Sequence, residues 1–106
     1  MALSRDFTES VVARARRDPR FAVALLDEAA TVFLNGEPDV ARLVLRELVN
    51  ATVGFERLAR LTKTPSKSLH RMLSAAGNPN MDNLAAIFDA IRNHLKVTLK
   101  AKTVAA

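Results

Sequence analysis

Two cations at helical spacing are the residues of this sequence with the most distinctive chemistry. Lys67 and Arg71 lie four positions apart in "PSKSLHRMLS", and Ser66 precedes them. Side chains four residues apart share one face of a helix. Lys and Arg on such a face donate hydrogen bonds to O6 and N7 of guanine in the DNA major groove. A solvated helix surface would explain either cation alone, but the pair together with Ser66 favours contact with DNA bases.

Other polar residues surround this stretch. His70 fits either a phosphate contact or a cover for the helix flank. Arg57, Arg60 and Lys63 lie on the preceding helix and turn, where phosphate contacts are expected, although a solvated face explains them almost as well. Asn78, in the following loop, has an amide that could donate to phosphate.

Two short helices must position these side chains. The segments "FERLARLT" and "PSKSLHRMLS" are separated by a tight turn, which is the organisation of a helix-turn-helix. We expect Thr64 to cap the second helix and Pro65 to be its first residue. The side chains expected to face inward are apolar: Leu58, Ala59, Leu61, Leu69, Met72 and Leu73.

Proline, glycine and capping residues predict the remaining helices. One is expected over residues 5–17, one over 19–34 between Asp18-Pro19 and Asn35-Gly36, and one from Glu37-Pro38 to about residue 50. A longer helix begins after Asn80 as its N-cap. Its apolar stripe has helical spacing and consists of Leu84, Ile87, Phe88, Ile91 and Leu95.

From Leu95 the apolar period changes to two. In "LKVTLKAK" Leu95, Val97 and Leu99 alternate with polar residues, which is typical of a half-buried strand. Because the chain has no second convincing strand, its partner would be the same segment of a second copy or a strand of another protein. The alternative is a frayed extension of the helix.

Composition limits the class of protein. A chain of 106 residues fits one compact unit, in which we expect residues 1–36 to form helices packed on the core and residues 37–106 to form the DNA-binding domain. Residues 55–106 hold nine Lys and Arg against three acids, for a net charge of +6, whereas residues 1–54 carry −1. Such asymmetry favours a polyanionic partner.

Several functions are made improbable by missing residue types. The chain has no Cys or Tyr, no Gly-rich phosphate loop and no clustered histidines, so we expect no enzyme activity, no metal and no cofactor. No apolar run is long enough to cross a bilayer, and the first ten residues are too charged for a signal peptide. We therefore expect a cytoplasmic protein without membrane contact.

Residues 54–91 resemble the addiction-module antidote family, the HigA-like helix-turn-helix antitoxins and regulators of the lambda-repressor-like, XRE type. The resemblance lies in Leu58-Ala59, in the L-x-R-M-L pattern of residues 69–73, in G-N-P at residues 77–79 and in N-L-x-x-I at residues 83–87. The preceding "NGEPDVARLVLRELVNATVGFE" is also similar to that family's upstream helix. The similar segments cover about two-thirds of the chain.

The resemblance implies an all-α, lambda-repressor-like helix-turn-helix domain of about five to six helices, to which residues 95–100 would add a short strand. It implies a homodimer on a palindromic operator of double-stranded DNA, which represses its own operon and neutralises a RelE-like ribonuclease toxin. Matching positions place Ser66, Lys67 and Arg71 at bases and Phe55, Glu56 and Asn78 near phosphates. Two departures are Lys63, where a glycine is common, and Pro65, where Ser or Thr is usual. The alternatives are a free-standing repressor and a protein-interaction module with the same fold.

Overall fold

Six helices form the part of the chain that the structure describes. A computed structural model describes the backbone of residues 5–106 and the side chains of residues 8–106. The helices are α1 (Arg5–Arg17), α2 (Pro19–Leu34), α3 (Pro38–Ala51), α4 (Phe55–Thr62), α5 (Ser66–Met72) and α6 (Met81–Leu95). The all-α prediction is confirmed. None of the helices in this described part is long and apolar enough to cross a membrane.

The predicted capping residues begin two of these helices. Asp18 accepts a hydrogen bond from the backbone N–H of Arg20 at 3.1 Å, and Pro19 is the first residue of α2. Asn80 accepts from the backbone N–H of Asn83 at 2.8 Å and begins α6. Each side chain satisfies a donor that has no acceptor inside its own helix.

The core is built mainly from leucine, alanine, valine and isoleucine. α2 packs on α3, and α1 contacts both, while α4 packs on α5 and α6. α3 also contacts α4, and α2 contacts α6. One continuous apolar cluster runs through all of these layers, and its largest fully buried side chains include Leu26, Leu45, Leu48, Leu58, Leu69, Leu73, Ile87 and Ile91.

One apolar side chain of α4 lies further out than the sequence pattern predicts. Leu61 is 57% exposed, so the prediction that it faces inward is wrong. It lies three residues after buried Leu58, which rotates it about 60° away from that residue on the helix. There it lines an open groove between α4 and α6 instead of entering the core.

The C-terminal segment is extended but forms no strand within residues 5–106. α6 ends at Leu95, and Lys96 adopts the left-handed conformation with φ 59°. Val97 and Leu99 are half-buried against the core, while Thr98 and Lys100 are exposed. The alternation in the sequence therefore matches the alternation of burial. The alternative, in which this segment extends α6, is wrong because the helix ends at Leu95. Within residues 5–106 the segment also makes no hydrogen bonds to a neighbouring strand.

Candidate nucleic-acid interface

α4 and α5 are joined by a turn of residues 63–65. Lys63 has φ 54° and ψ 38°, so this non-glycine residue occupies the left-handed region at a cost of about 1 kcal/mol. The backbone N–H of Thr64 donates to the carbonyl of Ala59 at 3.1 Å and closes the end of α4. The turn therefore has the backbone conformation that favours glycine, although lysine occupies this position.

α5 begins one residue later than the capping prediction places it. Pro65 precedes the helix with ψ 139°, and its carbonyl accepts from the backbone N–H groups of Ser68 and Leu69. The hydroxyl of Thr64 donates to the carbonyl of Thr62 at 3.2 Å, so it supports the turn and does not cap α5. Ser66 is consequently the first helical residue, and Lys67 is the second.

The two faces of α5 differ sharply in burial and charge. Leu69 is 1% exposed, as is Leu73 just after the helix. Lys67, His70 and Arg71 are exposed and Ser66 is half-buried. No acidic residue lies in α5. The structure therefore brings all four predicted side chains of this helix to its accessible side, and the apolar side anchors the helix to the core.

A ring contact joins the two short helices. The imidazole of His70 stacks on the phenyl ring of Phe55, with centroids 3.8 Å apart and planes inclined by 18°. Phe55 is 7% exposed, so its ring is not free to meet a ligand. No side chain caps α4 at Gly54, which leaves the first backbone N–H groups of α4 as the donors at this position. Any phosphate contact of Phe55 would therefore use its main chain.

The end of α5 is held by groups from outside the helix-turn-helix. Arg42 on α3 donates from Nε to the carbonyl of Ser74 at 3.2 Å and from Nη2 to that of Ala75 at 3.0 Å. Gly77 passes so close to α5 that an added Cβ would overlap the carbonyl oxygens of Arg71 and Met72. Sequence reasoning missed Arg42, for which no local pattern exists, whereas the G-N-P motif already singled out Gly77.

Apart from buried Phe55, the residues of α4, the turn and the following loop that were predicted to contact phosphate are on the surface. Among the described residues no ion pair ties up their charges. These exposed residues are Glu56, Arg57, Arg60 and Lys63 on α4 and its turn, and Asn78 in the loop after α5. Four of these side chains are hydrogen-bond donors close in sequence to α5, namely Arg57, Arg60, Lys63 and Asn78. The fifth, Glu56, is a carboxylate that would repel phosphate.

The two histidines lie apart in the described part of the chain. No group of three His, Asp or Glu residues there is placed to hold a metal ion. His94 lies on α6, in the groove with Leu61, and His70 is stacked on Phe55.

No protein-family model, no curated protein and no solved structure matches this chain.

Proposed function

We propose that this protein is a sequence-specific DNA-binding transcriptional regulator that inserts α5 into the major groove. The observation that carries the proposal is the division of α5 into a buried apolar side and an exposed side with Lys67, His70 and Arg71 and no acid. A helix of seven residues is about 10 Å long and fits a groove about 12 Å wide. The chemistry and the dimensions suit DNA.

The exposed residues divide by position into two roles. Ser66, Lys67 and Arg71 would contact base edges from the first two turns of α5, where Arg and Lys favour guanine. The cations of α4 and the turn, with Asn78 and the main-chain donors at Phe55 and Glu56, would contact phosphates and set the orientation of the helix. His70 would support α5 from its flank, since its ring is already stacked.

The resemblance to HigA-like antitoxins supports a more specific form of the proposal. In that form the protein is a cytoplasmic homodimer that binds a palindromic operator, represses its own operon and neutralises a RelE-like toxin. A dimer would place two copies of α5 about one helical turn of DNA apart. An adjacent reading frame for a small basic toxin would support the antitoxin role, and its absence would favour a free-standing repressor.

Selection of binding sites from a random duplex library tests the proposal. We expect enrichment of a palindromic motif. The affinity for this motif should fall steeply between about 50 and 200 mM salt, because Lys and Arg displace counterions from the phosphates. A fall of that kind is typical of about 6 to 10 phosphate contacts. An Arg17→Ala variant is the matched control because Arg17 is exposed on α1, which packs on α2 and α3. Absence of any enriched motif, with unchanged affinity across that salt range, would favour the protein-interaction module.

A further inference from the structure

Residues 97–104 form an extended segment that runs along α2. Val97 and Leu99 pack inward on the core cluster, while Thr98, Lys100 and Lys102 are exposed. Over residues 97–100 this alternation is that of a strand with one face on a core, whereas residues 101–106 are all exposed. The segment lies over the middle of α2, where its residues share surface depressions with Val23, Ala24 and Asp27.

The backbone of this segment is unpaired. Within residues 5–106, the last backbone hydrogen bond of the chain is the one from Val97 to the carbonyl of Arg92, at 3.0 Å, and the groups of residues 98–104 have no partner. An extended segment with free donors and acceptors on its edges is a template for another strand. Residues 5–106 contain no strand that could cover it.

An apolar cleft lies beside the segment. It has a volume of about 690 Å³ and runs between residues 99–104 and the C-terminal half of α2. Phe33 and Leu34, which are 39% and 64% exposed, line it together with Phe88. The Phe33 and Phe88 rings are 6.4 Å apart. A strand added along the segment would therefore place alternate side chains on an apolar floor.

We propose that this edge and cleft bind an extended segment of another protein that alternates apolar and acidic residues. Its apolar side chains would occupy the cleft, and its acidic ones would lie beside exposed Lys100 and Lys102. Opposite charges paired across neighbouring strands stabilise a sheet, while like charges destabilise it. Among the described residues, Asp27 is the one acid that lines the cleft, so Lys100 and Lys102 favour a partner with negative charge.

Charge also disfavours a second copy as the occupant. An antiparallel twofold pairing that keeps the inward faces together puts Lys100 and Lys102 of both copies on one outward face. Four cations would then share a ribbon of two strands. The proposal extends beyond DNA binding, because no residue of α5 lines this cleft.

The test uses three fluorescein-labelled peptides and the full chain. The first is Glu-Ile-Glu-Val-Glu-Ile-Glu, the second has Lys in place of each Glu, and the third is the first with alternate backbone nitrogens methylated. Fluorescence anisotropy measures binding. We expect the Glu peptide to bind more tightly than the Lys peptide, and N-methylation to remove binding because it removes the donors that pair strands.

Charge-reversed variants then locate the binding. Lys100→Glu with Lys102→Glu should weaken binding of the Glu peptide about tenfold and improve binding of the Lys peptide. Lys67→Glu with Arg71→Glu, which changes the net charge equally, should leave the peptides unaffected but abolish binding to a selected duplex. A failure of peptide binding can thus be distinguished from a failure of DNA binding.

Three results would overturn the proposal: no binding of the Glu peptide, equal binding of the Glu and Lys peptides, or equal effects of the two charge reversals. Analytical sedimentation could give a fourth result that overturns the proposal. A dimer that Thr98→Pro dissociates would assign the strand edge to a second copy of the chain and not to an acidic partner.

Discussion

The ring of His70 on α5 lies flat against the ring of Phe55 at the start of α4, with 3.8 Å between centroids. This contact lies at the edge of the core cluster that contains Phe55 and joins the supporting helix to the helix proposed to enter DNA. Aromatic pairs of this kind contribute about 1 kcal/mol beyond the area they bury. The orientation of α5 therefore depends partly on an exposed side chain.

Replacement of His70 by alanine should lower the free energy of unfolding by about 1 kcal/mol, because it removes the ring that stacks on Phe55. His70→Phe should retain most of the stability since a ring still covers Phe55. Urea unfolding of both variants measures the difference. Lys67→Ala, on the same exposed side of α5, is the control and should unfold like the original protein. Equal stability of His70→Ala and the original would show that the stack contributes nothing.

Arg71→Ala should weaken binding to a selected duplex by about 1 to 3 kcal/mol if the guanidinium contacts guanine. Binding to random duplexes should change less, and the melting temperature should hardly move because Arg71 is exposed. Competition binding with both duplexes measures the two losses. An equal loss on both would assign Arg71 to a phosphate.

Arg42→Gln should destabilise the protein by about 2 kcal/mol, because two carbonyls after α5 lose a charged donor. Hydrogen exchange should then accelerate in residues 66–76 more than in α2. Arg46→Gln is the control on the same helix, since Arg46 is exposed. Uniform exchange across both regions would contradict the role of Arg42 in holding the end of α5.

Two glycines should respond very differently to alanine. Gly77→Ala forces a Cβ against carbonyls of α5 and should cost about 3 kcal/mol. Gly36→Ala meets no neighbour but must keep a φ of 84°, which costs about 1 kcal/mol. Chemical unfolding of the two variants compares the costs. A Gly77→Ala protein as stable as Gly36→Ala would disprove the close approach of this loop to α5.

Glu47 should make stability fall as pH rises. Its side chain is 7% exposed, and burial raises the pKa of its carboxyl above 4.5, an effect that Arg46 partly opposes. The native state therefore retains the proton to higher pH than the unfolded chain does. The stabilisation is complete below the ordinary carboxyl pKa and is lost as pH rises through the raised value.

Glu47→Gln removes this titration. At pH 7 the variant should be more stable than the original protein by about 1 kcal/mol, and the difference should shrink as pH falls towards 4. Thermal unfolding across this range measures it, with exposed Glu56→Gln as the control. A difference that stays constant with pH would show that Glu47 has no raised pKa.

Local signals were sufficient for most of the fold. Asp18-Pro19 and Asn35-Gly36 determine both ends of α2, because a capping carboxylate and a preset φ act within a few residues. The buried and exposed sides of α5 follow from the positions of Leu69 and Arg71 in a helical period.

The remaining features depend on groups that are distant in sequence. The stack of His70 on Phe55 and the hydrogen bonds of Arg42 span 15 and more than 30 residues, and no periodicity predicts them. The alternation in residues 95–100 indicates which side chains are buried but not whether a neighbouring strand exists. Thr64 looked like a cap, yet its hydroxyl donates to Thr62 within the turn.

The most direct test of the account is an NMR titration of the full chain with a selected duplex. We predict that the largest amide shifts will fall on residues 66–71 and on the first turn of α4, and that a scrambled duplex at the same salt concentration will cause much smaller ones. Shifts concentrated in α1 and α2, or shifts of equal size with both duplexes, would contradict the claim that α5 is the DNA-contacting helix.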